Sequence, residues 1–77
     1  MKILYAVKNA FADKYLAKAN ETDKMFHKGR LYAFHVCNTI YEMALFSSKE
    51  DAIKAYSDSF SNSLNETGII VEMIIEE

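Results

Sequence analysis

In the apolar opening segment KILYAVK, bounded by Lys2 and Lys8, an extended chain puts Ile3, Tyr5 and Val7 on one side and Lys2, Leu4, Ala6 and Lys8 on the other. A period of two is the signature of a β-strand. NAFADK then reads as a turn, because Asn9 and Asp13 can bond their own backbone. KYLAK is expected to return as a short second strand, although Ala, Lys and Leu also suit a single helix over 10–19. The polar stretch ANETDKMFHKGR is expected to be a loop ending near Gly29.

Beyond that loop, Tyr32, Phe34 and Val36 alternate with Leu31, Ala33, His35 and Cys37, and aromatic and β-branched residues at this period predict a strand. CNT suits a turn, with Asn38 able to take a left-handed backbone. IYEMALF is expected to follow as another strand, with Ile40, Glu42, Ala44 and Phe46 opposed to Tyr41, Met43 and Leu45. A buried helix over 31–46 competes, since short apolar runs fit either period.

SSKED marks a helix start in either of two capping registers, Ser47 with Glu50 or Ser48 with Asp51. The acids also suit the positive end of the helix dipole. Behind the cap, Ala52, Ile53, Tyr56, Phe60 and Leu64 recur at three- and four-residue steps and define an apolar stripe, so a helix is expected over about 49–64, with Gly68 as its stop. In the closing IIVEMII, Ile69, Val71, Met73 and Ile75 share one face, and Ile70 and Ile74 flank Glu72 on the other. Apolar residues on both faces predict a strand away from a lone edge. Together these elements predict one α+β domain over 1–77: an antiparallel sheet of about four to five strands with one amphipathic helix on one face.

Composition narrows the function classes. A 77-residue chain has a thin core, usually supplemented by disulfides, a metal or oligomerisation. One cysteine cannot close an internal disulfide, and His27, His35 and Cys37 lack paired metal-ligand spacing, so a homodimer is expected and neither metal nor cofactor is. The longest early apolar run, Ile3 to Val7, is too short for a signal peptide or membrane span, and a lone cysteine fits a reducing cytoplasm. The net charge of −2 is uneven. Residues 1–30 carry seven basic and three acidic residues, a balance of +4, and residues 31–77 two basic and eight acidic, a balance of −6. Such a split suits two faces for differently charged partners, two self-complementary faces in an oligomer, or ordinary solvated charge.

The chemical candidates are few. His35 and Cys37 fall on one face of the expected strand, but nothing nearby supplies the orienting group of a thiolate nucleophile, so a buried thiol and a non-enzymatic protein are expected. Glu42 and Glu72 would be explained as cross-strand partners if lysines lay opposite them. Lysine and arginine interleave with aromatics between Lys14 and Arg30. Lys14, Tyr15, Lys18, Lys24, Phe26, Lys28 and Arg30 are therefore the candidate contact residues, suited to a protein partner or to stacking and pairing with an anionic nucleotide.

The motif YAVKN…DKYLAK resembles the V-K-N-x-x-T-G-K-Y-L start of small uncharacterised proteins of tailed phages, through Val7, Lys8, Asn9, Lys14, Tyr15 and Leu16. EMALFSSKEDAIKAY is similar to their A-x-x-F-x-S-K-E-E-A block, through Ala44, Phe46, Ser48, Lys49, Glu50 and Ala52. The likeness covers about a third of the chain, with FAD in place of the Thr-Gly turn and a longer middle. It implies a phage accessory protein in the cytoplasm of an infected bacterium, of the anti-defence or anti-CRISPR type, that inhibits a host protein or nucleoprotein complex by occupying its functional surface. The alternative is an oligomeric module that sequesters an anionic nucleotide signal.

Overall fold

A computed structural model describes residues 1–20, 30–59 and 66–76. Strands β1 (Lys2–Asn9), β2 (Tyr15–Lys18), β3 (Tyr32–His35) and β4 (Gly68–Ile75) form one sheet in the order β3-β2-β1-β4, and helix α1 (Lys49–Ser57) packs over β1 and β4. All three strand pairings are antiparallel. The expected α+β architecture is thus the one found.

The hairpin, not a helix, joins β1 to β2. Asn9 sets the turn: its Oδ1 accepts from Phe11 N–H at 2.8 Å and Ala12 N–H at 3.1 Å, and its own N–H donates to Lys14 O at 2.9 Å. Only one residue pair, Lys8 with Tyr15, joins the two strands directly. They then splay, and the chain at 44–46 enters the gap. Ala44 N–H donates to Leu16 O at 2.8 Å, and Phe46 exchanges two backbone bonds of 2.8 Å with Tyr5. The expected strand over 40–46 is therefore reduced to an isolated bridge at Phe46. The preceding residues form a turn instead, which Glu42 holds. Its Oε2 accepts from Asn38 N–H and, at 3.0 Å, from Thr39 N–H, while Glu42 N–H donates to Thr39 O at 3.2 Å. Thr39-x-x-Glu42 is the spacing of a capping box, whose acid reaches back to the residue that starts the turn. A carboxylate committed to that turn is not available as a cross-strand partner.

Helix α1 begins at the second of the two expected caps. Ser48 is extended (φ −142°, ψ 158°) and its hydroxyl accepts from Asp51 N–H at 3.2 Å. The helix ends at Ser57 with Asp58 as its cap, short of the expected 64; Phe60 and Leu64 lie outside the described residues. The buried face is Ala52 and Ala55, with Tyr56 half-buried, whereas Ile53 is 52% exposed, against the expected stripe. Two alanines let the helix axis approach the sheet closely, where an isoleucine would hold it off.

The core cluster is Val7, Leu16, Phe34, Ala52 and Ala55, with Tyr5, Tyr32, Phe46, Tyr56 and Ile70 packed against it. Phe34 and Tyr56 meet with ring centroids 6.0 Å apart, and Tyr32 meets Phe46 edge-on at 5.7 Å. Six of the nine buried apolar residues among those described are alanine. The three larger ones, Val7, Leu16 and Phe34, each contribute roughly 1.5–3 kcal/mol of burial. The expected alternation holds in β4, yet the face turned to the helix is the one bearing Glu72, because register pairs Ile70 with Val7 and Glu72 with Tyr5. Glu72 therefore faces a tyrosine, not a lysine. β4 also lies at the edge of the sheet, contrary to the placement its two apolar faces predict. Gly68 is not a helix stop but the first residue of β4, against Val7 and Tyr56.

Candidate functional site

The splay between β1 and β2 has a consequence on the surface. Where 44–46 crosses the gap, a groove of about 400 Å³ opens, lined by Lys18, Tyr32, Tyr41, Glu42, Met43, Ala44, Leu45 and Phe46. Register places Lys18 opposite Tyr32, and alternation along β2 and β3 puts both on the face that Leu16 and Phe34 bury. Tyr32 and Phe46 form an aromatic wall through their edge-on contact. Tyr41 stands at the lip on the Glu42-closed turn and is 92% exposed. The groove thus combines aromatic rings with polar groups: the Lys18 ammonium and the phenols of Tyr32 and Tyr41 all line it. Glu42, the acid of the lining, is engaged with the amides of Asn38 and Thr39. A volume near 400 Å³ falls in the range of small-ligand pockets and of clefts that take one or two side chains of a partner.

The candidate contact residues are dispersed by the fold. Lys18 enters the groove. Tyr15 lies on the opposite sheet face, with His35 as its neighbour on β3, and is half-buried. Lys14 is half-buried at the hairpin, with its carbonyl bonded to Asn9. Arg30 reaches across to the end of α1, where Nη1 donates to Asp58 O at 3.0 Å. A guanidinium there meets the negative end of the helix dipole. Lys24, Phe26 and Lys28 lie outside the described residues. Tyr41 and Phe46 escape a sequence reading of the site because IYEMALF looks like a strand, and Tyr32 because its own strand gives no sign of what it borders. The signal that could have located Tyr41 at a turn was the T-x-x-E spacing of Thr39 and Glu42.

His35 and Cys37 part company at the end of β3. Cys37 lies past the last strand residue, and its Sγ donates to His35 O at 3.5 Å. Burial pushes the thiol above its ordinary value, the nearby Glu42 carboxylate adds to this, and a backbone hydrogen bond from Tyr15 opposes it. Both larger influences disfavour the thiolate, the form a nucleophile needs. No group of three or more His, Cys, Asp or Glu able to hold a metal ion occurs among the described residues, and no described helix is long and apolar enough to cross a membrane. No protein-family model, curated protein or solved structure matches this chain.

Proposed function

We propose that this protein acts by binding, not by catalysis, and that it inhibits a host defence complex in the bacterial cytoplasm by occupying a surface that complex needs. The observation that carries the binding reading is Tyr41, almost wholly exposed at the lip of an aromatic groove that also holds Lys18. A tyrosine so placed anchors partners well: it offers a large rigid contact area and a hydroxyl at little cost in conformational entropy. The raised Cys37 thiol supports the same reading, since it favours the unreactive form. The target class rests on the resemblance of the VKN…KYL and AxxFxSKE motifs to phage accessory proteins. Of the basic segment Lys14–Arg30 expected to make contact, Lys18 is the residue that lines the groove.

The test is phage plating on hosts that carry defined defence systems, CRISPR among them, with the chain expressed in trans. The wild type raises plating efficiency on one such host. Tyr41→Ala and Lys18→Glu abolish the effect while circular dichroism stays unchanged. Loss of 1–3 kcal/mol of affinity, typical of an interface anchor, corresponds to about 5- to 150-fold weaker binding to the purified target. Restoration of plating by both variants at wild-type levels removes the groove from the mechanism.

A second reading draws on the same groove. Aromatic rings beside a lysine can stack a base and hold a phosphate, so the chain could sequester an anionic nucleotide. Calorimetry against cyclic nucleotides separates the two: saturable heat that disappears in Lys18→Glu supports sequestration, and its absence leaves the protein partner.

A further inference from the structure

The two edges of the sheet are built differently. β3 is four residues long, and short edge strands are one of the ways proteins avoid unwanted pairing. β4 is eight residues long and pairs with β1 through eight consecutive partners, from Gly68 with Asn9 to Ile75 with Lys2, without a bulge. It carries no proline and no lysine, and a single charge, Glu72. Ile69 and Ile74 are 46% and 62% exposed. No described strand lies beyond it. Among the described residues, Glu72 is therefore the one protection of the kind that a solvent-facing edge of this length normally carries.

The direction of its backbone groups follows from bonds on the other strands. Tyr5 N–H and O bond Phe46, and Asn9 N–H bonds Lys14 O, so odd positions of β1 point away from β4. Even positions point toward it, as Ala10 N–H confirms by donating to Thr67 O at 2.9 Å. Their partners Ile69, Val71, Met73 and Ile75 are thereby turned inward, and Gly68, Ile70, Glu72 and Ile74 present their N–H and C=O groups outward.

We propose that this edge pairs with the β4 of a second copy of the chain, antiparallel about a two-fold axis at Val71. Antiparallel pairing requires outward groups to face outward groups, which allows only alternate registers. Two of these overlap the strand almost fully. One sets Glu72 against the Glu72 of the second copy, where like charges directly opposed are unfavourable. The other sets Gly68 against Ile74 and Ile70 against Glu72 as hydrogen-bonded pairs, with Ile69 against Met73 and Val71 against Val71 between them. That register separates the acids, satisfies every outward amide and carbonyl of 68–74, and places a β-branched pair at the axis, where side chains approach most closely. The product is a continuous eight-strand sheet with both helices on one face. It also supplements a core in which alanine predominates. This inference is independent of the groove, which lies at the other side of β1.

The test combines mass and cross-linking. Light scattering after size exclusion gives the mass of two chains for the wild type across the micromolar range. Glu72→Pro removes one outward N–H and no bond to β1, a position where an edge strand tolerates proline; it gives the mass of one chain, with an unchanged circular dichroism spectrum. In a Cys37→Ser background, Val71→Cys forms a disulfide-linked dimer under mild oxidation, because a non-hydrogen-bonded antiparallel pair brings the Cα atoms within disulfide range. Met73→Cys in the same background does not. A monomeric wild type overturns the proposal, whether the edge then proves to take a strand of another protein or none. So does a dimer that fails to cross-link at position 71; this outcome stays decisive if Glu72→Pro does not fold.

Discussion

Gly68→Ala is a sharp test of how β4 meets the helix. A Cβ at this position would lie 2.8 Å from Val7 Cγ1 and 2.9 and 3.1 Å from Cε1 and Cδ1 of Tyr56. Neither neighbour can yield easily. Val7 is fully buried in the centre of the core, and a β-branched side chain is held near one rotamer. The Tyr56 ring is fixed at its far end by its hydroxyl, which donates to Glu66 O, and along its flank by Phe34. Forcing an extra methyl into such a site costs about 1–3 kcal/mol. Alanine recovers part of this, about 0.4–1 kcal/mol, by restricting the unfolded chain. The expected net loss is about 1–2 kcal/mol. At this chain length each kcal/mol corresponds to a fall in Tm of about 4–8 °C. Thermal and urea unfolding at one fixed protein concentration measure it, since association would make Tm depend on concentration. Combining Gly68→Ala with Val7→Ala removes the 2.8 Å contact, so the double variant loses less than the sum of the singles. A Gly68→Ala protein as stable as the wild type, or additive single losses, would refute the reasoning that glycine is required here for space.

Leu16→Ala empties a wholly buried leucine of the core and lowers stability by about 2–5 kcal/mol in urea unfolding. Ser48→Ala removes the cap on Asp51 N–H and costs about 1 kcal/mol, read from the same denaturation curves. Glu42→Gln acts on Cys37: with the carboxylate charge gone, the thiol titrates at lower pH, and alkylation by iodoacetamide at pH 8 is faster than in the wild type. In the wild type the folded value lies above the unfolded one. The stability contributed by the neutral thiol is therefore complete below the ordinary thiol range and lost as pH rises through the folded value; the urea midpoint followed from pH 7 upward shows this as a decline that Cys37→Ser lacks.

Much of the secondary structure was legible along the chain because its causes are local. Alternation in 2–8 and 69–75 comes from the pleat itself, the Ser48 cap from hydroxyl and amide three residues apart, and the Asn9 turn from a side chain that reaches its own backbone. Those signals were enough to specify an antiparallel sheet with one helix. What they left open depends on register between distant segments. Periodicity assigned Ile69, Val71, Met73 and Ile75 to one face of β4, but only the pairing of Val7 with Ile70 decided that the opposite face meets the helix. Helical spacing admitted Ile53 to the stripe, and only the close approach of α1 to the sheet selected Ala55 instead. The groove had no local signature at all. It exists because β1 and β2 separate after a single pair and residues 44–46 fill the gap, so Lys18, Tyr32, Tyr41 and Phe46 meet through contacts that no window of sequence contains. Local hydrogen bonding and side-chain period are written into neighbouring residues, whereas the face a strand buries and the hollow it borders are set by which distant backbone it pairs with.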